Sequence, residues 1–190
     1  MRFLVASVLA VVLLALVAPR GCQGTRERVL LTLVRESERP VTVAGADQPT
    51  FRFPPTAVRA VAIIDYEDAT TAAAHVSFLP DAGSDRYAWA LGLCDTWVPA
   101  CLEGRPTVTL EALTYGEVPA GLRQIEPGAG AARPLVAGRL YGLALFGEKL
   151  FALKAFYHDG RAIHVMEGAR FAEAVVSGRR DEIAAFVGRR

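Results

Sequence analysis

Residues 139–166 read RLYGLALFGEKLFALKAFYHDGRAIHVM, and this stretch decides the fold prediction. Gly147-Glu148 and Asp159-Gly160 interrupt an otherwise apolar sequence rich in strand-forming residues. Gly-X and Asp-Gly are the pairs that two-residue hairpin turns require. The stretch is therefore predicted to form a three-stranded antiparallel meander. Its three strands are Arg139–Phe146, Lys149–His158 and Arg161–Met166.

Short apolar or alternating segments continue upstream of this meander, and each is bounded by turn-forming residues. We expect Thr50–Phe53 to be stopped by Pro54-Pro55, and His75–Leu79 to form a hairpin with the segment after it. The Gly/Ala/Pro-rich residues 126–133 predict an exposed loop. The upstream strand candidates are Val29–Val34, Pro40–Val43, Thr50–Phe53, Val58–Ile64, His75–Leu79, Arg86–Leu93 and Pro106–Leu113.

The C-terminal residues change to helical spacing, with Ser177-Gly178 as a break, which predicts one or two amphipathic helices. The apolar positions are Phe171, Val175, Val176, Ile183, Phe186 and Val187. Many short strands without β-α alternation favour a mainly β fold, an immunoglobulin/fibronectin-like antiparallel β-sandwich over residues 29–166. Residues 167–190 are predicted to form the C-terminal helical segment. An α+β antiparallel sheet packed by the C-terminal helices is the alternative.

Residues 135–145, LVAGRLYGLAL, resemble the stretch of fibronectin type III domains that enters the penultimate strand. In that family a leucine and a turn precede a tyrosine that forms the tyrosine corner. The resemblance implies that Tyr141 is the corner residue and that Leu143 and Leu145 face inward. It bears on the fold alone, because sandwiches of this kind carry many functions.

The N-terminus has the layout of a secretory signal peptide. Arg2 is followed by the apolar run Phe3–Ala18 and then by Gly21-Cys22. The sequence resembles a bacterial lipoprotein signal, in which the cysteine is lipidated and becomes the new N-terminus. That resemblance implies a signal peptide over 1–21, lipidation of Cys22, a short tether over 22–28, and a periplasmic domain anchored to the membrane. Ordinary signal cleavage and an uncleaved anchor are the alternatives.

The remaining cysteines, Cys94 and Cys101, are separated by six residues. Such a pair can form a disulfide in an oxidising compartment, and a loop this small would contribute about 2–3 kcal/mol. Their spacing is neither C-x-x-C nor that of a zinc site. Trp97 lies inside the loop, where it either contacts a partner or covers the disulfide. Trp89 is predicted to lie in the core.

The charge balance argues against nucleic-acid binding. Without residues 1–21, the chain has 19 basic and 20 acidic residues and no block of like charge. No G-x-S-x-G, S-x-x-K or phosphate-binding glycine motif is present. The sequence therefore predicts no cofactor.

Two sets of side chains are candidates for chemistry. Asp65, Glu67 and Asp68 follow an apolar strand, where carboxylates can bind a cation or transfer protons but are also common as solvated loop residues. His158 and His164 lie close in sequence, but strand alternation places them on opposite faces of the meander. We therefore expect surface histidines and no metal site.

Taken together, the sequence favours a non-enzymatic, lipid-anchored protein of the bacterial envelope that binds or supports another envelope component. A hydrolase or cation-dependent enzyme that uses Asp65, Glu67 or Asp68 with a histidine is the second hypothesis. Approach of His75 to the acidic residues in a shared pocket would favour the enzyme.

Overall fold

A computed structural model describes residues 39–67, 86–94, 106–128, 130–148, 150–177 and 179–187. The strands in these residues are β1 (Thr42–Ala44), β2 (Thr50–Val58), β3 (Ala60–Glu67), β4 (Tyr87–Gly92), β5 (Val108–Thr114), β6 (Arg123–Glu126), β7 (Leu140–Phe146), β8 (Leu150–His158) and β9 (Ile163–Met166). The helices are α1 (Gly168–Val176) and α2 (Arg180–Val187).

The strands form two antiparallel sheets. The small sheet has the order β1-β2-β5, and the large sheet has the order β6-β4-β3-β7-β8-β9. Both short helices follow the last strand of the large sheet. The predicted mainly β, sandwich-like fold with C-terminal helices is confirmed.

One face of the large sheet packs against the small sheet. In β7 the side chains of Tyr141, Leu143 and Leu145 point to this face and are buried in the same cluster as Phe51 of β2. Phe156 of β8 joins the layers, because its ring lies 5.3 Å from that of Phe51 and 5.4 Å from that of Tyr141. This alternation of residues along the strand builds the inter-sheet core.

The opposite face of the large sheet packs against the helices. Leu140 and Ala144, the alternate residues of β7, are buried there together with Phe171 and Ile183. Residues on both faces of the central strands are therefore buried. This explains why their sequences are continuous apolar runs rather than alternating ones.

The two helices are joined by ion pairs as well as by packing. Arg170 Nε lies 2.5 Å from Glu182 Oε1, and Arg179 contacts both Glu173 (3.2 Å) and Glu182 (3.3 Å). The hydrogen bond from Arg170 lowers the pKa of Glu182. The predicted break near Ser177 is confirmed, since α1 ends at Val176 and α2 begins at Arg180.

The predicted boundaries around Pro54-Pro55 are wrong. The prolines do not stop β2, which continues from Thr50 to Val58, and the next strand begins only at Ala60. The pairing of β2 with β5 shifts register between Arg52 and Thr56. Because the prolines lie in that irregularity, their missing N–H groups interrupt no regular ladder. The expected strand Val58–Ile64 is thus divided between β2 and β3.

The turns of the meander are longer than predicted. His158 pairs with Ile163 and Tyr157 with His164, so four residues connect β8 to β9 instead of two. The cause lies in the turn itself, because Asp159 Oδ1 accepts the N–H groups of Arg161 and Ala162, each at 2.7 Å. Similarly, Phe146 pairs with Leu150, which leaves three residues between β7 and β8.

The strand β6, which pairs with β4, was not predicted, since its sequence RQIE has one strongly apolar residue. The strand candidates Val29–Val34 and His75–Leu79 lie outside the described residues.

The fibronectin-like feature at Tyr141 is present. The Tyr141 hydroxyl oxygen accepts a hydrogen bond of 2.8 Å from the backbone N–H of Val136, five residues upstream. Gly138, with φ of 89°, turns the chain between them. Leu143 and Leu145 are fully buried, as the resemblance implied. Burial also raises the pKa of Tyr141.

Tyr141→Phe is expected to lower the free energy of unfolding by about 1 kcal/mol, because it removes this one hydrogen bond and keeps the ring. Urea unfolding at neutral pH measures the change. Tyr157→Phe in β8 is the matched control, since that hydroxyl makes no hydrogen bond within the described residues. A larger loss in the control would contradict the corner assignment.

Gly142 is required by the packing of Tyr66 on β7. A Cβ at position 142 would lie 2.6 Å from Cε2 of Tyr66, a fully buried ring that packs against Phe171 at 5.5 Å. Gly142→Ala should therefore cost about 1–3 kcal/mol of stability through overpacking. The same substitution in a Tyr66→Ala background should cost much less, which a double-mutant cycle measured by urea unfolding tests. Equal costs in both backgrounds would exclude the proposed clash.

Candidate functional site

Ionisable residues gather at one end of the large sheet, which we call the polar end: Asp65, Glu67, Arg139, His158, Asp159 and His164. Asp65 and Glu67 end β3, Arg139 precedes β7, and His158 ends β8. Tyr141 is paired with Asp65 on one side and with Phe156 on the other. By alternation, Asp65, Arg139 and His158 therefore project from the face that carries Tyr141, towards the small sheet.

Asp65 is held by structural contacts. Its Oδ2 lies 2.5 Å from Arg139 Nη1, and its Oδ1 accepts the backbone N–H of Glu67 at 2.8 Å. The Asp65 side chain is 17% exposed and that of Arg139 is 42% exposed. The hydrogen bond that Arg139 donates to Asp65 raises the pKa of Arg139. Both carboxylate oxygens of Asp65 therefore have partners within the protein.

Glu67 and Asp65 are in contact through the backbone of Glu67. Glu67 is exposed, and its φ of 61° lies in the left-handed region that non-glycine residues rarely adopt. Its backbone N–H is the donor to Asp65. The third acidic residue, Asp68, and His75, which the enzyme hypothesis requires nearby, lie outside the described residues.

The turn between β8 and β9 contains an aspartate–histidine pair. Asp159 Oδ2 lies 2.6 Å from His164 Nε2, while Oδ1 accepts the two turn N–H groups. The ring of Tyr157 stacks on the His164 ring at a centroid distance of 6.4 Å. The hydrogen bond to His164, followed by those to the backbone, holds the pKa of Asp159 well below its usual range.

The two histidines differ sharply in environment. His164 has a 44% exposed side chain, as expected for a surface residue. The expectation is wrong for His158, which is 5% exposed at the edge of the inter-sheet face. The prediction that they point to opposite faces is confirmed, because His164 is paired with Tyr157, the neighbour of His158. The alternation of side chains along the strand predicted the face on which each histidine lies. It did not predict which layer of the fold covers that face.

A second polar network fixes the loop after β6 and was not predicted. Trp89 Nε1 donates to Gln124 Oε1 at 3.0 Å, and Gln124 Nε2 donates to the carbonyl oxygens of Gly128 (3.0 Å) and Gly130. Trp89 is fully buried, which confirms its predicted place in the core.

Tyr115 completes this network from the other side of Trp89. Its ring meets Trp89 edge-on at 5.4 Å, and its hydroxyl donates to the carbonyl oxygen of Arg133 at 2.5 Å. Burial raises the pKa of Tyr115. The network thus serves to hold the predicted loop against β4.

Lys154 is a buried cation on the inter-sheet face of β8. Its Nζ contacts Glu167 Oε2, which lies where β9 leads into α1. Lys154 is 1% exposed, whereas Glu167 reaches solvent. This ion pair fixes the junction between the large sheet and the helices.

The remaining sequence candidates fall largely outside the described residues. Cys94 is buried at the end of the segment that contains β4. Cys101, Trp97 and the lipidation candidate Cys22 are outside, so the disulfide, the partner contact and the anchor stay predictions.

Metal-ligating side chains do not cluster in the described residues. No group of three or more His, Cys, Asp or Glu side chains among them could hold a metal ion. Within the same residues, no helix combines the length and apolar character needed to cross a bilayer. Comparisons with protein-family models, curated proteins and solved structures give no match.

Asp159→Asn tests the role of the aspartate–histidine pair. A carboxylate with a lowered pKa stabilises the fold above the ordinary aspartate pKa of about 4, and this contribution is lost as pH falls through the folded-state value. We expect the wild type to lose stability between about pH 4 and pH 2, and the variant to lose less over the same interval. Urea midpoints measured across this range compare the slopes. Glu111→Gln, which removes an exposed carboxylate in β5, is the control, and equal slopes for all three proteins would refute the assignment.

Proposed function

We propose that this protein is an exported bacterial lipoprotein, anchored to the membrane through Cys22, whose β-sandwich binds or supports another component of the cell envelope. The observation that carries the proposal is the sequence from Met1 to Cys22: a basic residue, the apolar run Phe3–Ala18, and a cysteine preceded by Gly21. Lipidation at that position would leave the folded domain on the periplasmic side.

The arrangement of the polar end supports a binding role over catalysis. An acid–base catalyst needs a carboxylate or imidazole that can reach a substrate. The carboxylate of Asp65 is instead occupied by Arg139 and the Glu67 N–H, and that of Asp159 by His164 and the turn backbone. These contacts stabilise strand ends and a turn. They make the sandwich a rigid frame for its loops, which is what a binding module requires.

The enzyme hypothesis keeps Glu67, whose side chain is exposed, and otherwise depends on Asp68 and His75, which lie beyond the described residues. It would need a histidine such as His75 beside Glu67 or Asp68, because both oxygens of Asp65 are already engaged. We therefore take the binding role as the proposal.

The first experiment is to measure the intact mass of the mature protein in membrane and soluble fractions, with and without reduction. The proposal expects a membrane-bound species that begins at Cys22 and carries acyl chains. If Cys94 and Cys101 form a disulfide, reduction adds one hydrogen mass per sulfur. Cys22→Ser should move the protein to the soluble fraction without acyl chains.

A matched variant separates anchorage from folding. Cys101→Ser should keep the acyl chains and the membrane location while losing the mass change on reduction. A wild-type protein that is soluble and unlipidated, with a free thiol at Cys22, would overturn the anchor. Crosslinking in intact cells, compared between wild type and Cys22→Ser, then tests for an envelope partner.

A further inference from the structure

His158 is an unusual buried residue, because its imidazole has no hydrogen-bond partner. The residue is 5% exposed, and within the described residues neither Nδ1 nor Nε2 makes a hydrogen bond. Buried polar atoms in proteins nearly always have a partner, and one left without costs stability. The backbone of His158 is in contrast well bonded, since its carbonyl oxygen accepts the N–H of Gly138 at 2.8 Å.

Among the described residues, the groups on the same face as this imidazole offer no free negative charge to it. Arg139, which immediately precedes β7, accepts the His158 N–H on its carbonyl oxygen at 3.4 Å and projects from the same face; it is a cation, and its counter-ion Asp65 is already engaged. From β9, Ile163 is paired with His158 and is apolar. Along β8, the alternation places Phe156 and then Lys154 on this face, and Lys154 is a second cation, paired with Glu167.

The small sheet adds no compensating acid. Its strand β1, with the sequence Thr-Val-Ala, contacts β9 and carries no charge, and the one acid in its strands, Glu111 of β5, is exposed. Within the described strands, Asp65 is thus the acid on the face of the large sheet that carries His158. Within the part of the chain that the structure describes, a protonated imidazole in this place would thus meet little solvent and no unengaged carboxylate on its own face to compensate its charge.

We propose that His158 is a proton-sensitive latch for the polar end of the large sheet. While the imidazole is neutral, the β8–β9 turn and the strand ends beside it stay folded, which is the closed state of the latch. When the ring gains a proton, the charged form is accommodated by local opening of the β8–β9 turn and the strand ends beside it, which brings water to the ring. Histidine side chains commonly serve such switches because they titrate near physiological pH.

Local opening has a direct measurement in the hydrogen exchange of backbone amides. The experiment uses the mature full-length protein at pH 7.5 and pH 5.5, with rates corrected for the pH dependence of intrinsic exchange. We expect amides from His158 to Met166 to exchange about tenfold faster, relative to intrinsic rates, at the lower pH. Amides in the paired centre of β3 and β4 serve as the internal reference and should not change.

Two variants distinguish the latch from general acid loosening. His158→Leu should abolish the acid-induced acceleration and slow exchange at both pH values, because an apolar side chain needs no partner there. His164→Leu removes the exposed histidine of the same turn and should retain the acceleration. Should His158→Leu fail to fold, His158→Gln provides a polar side chain without a titrating ring and should also lose the response to pH.

The proposal is overturned if exchange in the wild type accelerates equally in the polar end and in the reference strands, or not at all. It is likewise overturned if His158→Leu keeps the acid response or if His164→Leu abolishes it. None of these outcomes depends on lipidation at Cys22, so the latch and the proposed anchor can fail separately.

Discussion

The large sheet is apolar on both faces, and this property constrains the rest of the structure. Each central strand carries two sets of buried side chains, so the sheet is stable in water only with a cover on each side. The small sheet supplies one cover through Phe51 and its neighbours, and the helices supply the other through Phe171 and Ile183. The antiparallel pairing that joins β3, β7 and β8 positions both covers relative to each other.

This three-layer arrangement confines charged groups to the margins of the large sheet. Lys154 is paired with Glu167, whose side chain reaches solvent, and Asp65 is paired with Arg139 at the end of the strand. Such pairs offset the cost of burying charge at the margins, but each fixes its members in a structural role. His158 lies at the same margin without a comparable partner, which makes it the chemically exceptional residue of the described structure.

Sequence reasoning succeeded where local pattern and tertiary packing agree. The turn residues in 139–166 predicted β7, β8 and β9, and the helical spacing predicted both helices. The local resemblance predicted the tyrosine corner, in which the Tyr141 hydroxyl accepts the Val136 N–H. It failed at Pro54-Pro55, where an irregular pairing with β5 tolerates residues that usually end strands. It also placed His158 at the surface, because the position of a histidine near a turn does not reveal which layer lies above it.

Periodicity and turn chemistry are properties of residues that are neighbours in the sequence. For that reason the sequence alone determined the antiparallel, mainly β character, the terminal helices and the opposite faces of the two histidines. The predicted export signal rests on the same kind of local information. The tertiary structure alone decided strand order, the register of the β8–β9 turn, the pairing of Asp65 with Arg139 across 74 residues, and the burial of His158. These features depend on which distant segments meet, and that is set by the requirement to cover both faces of one sheet.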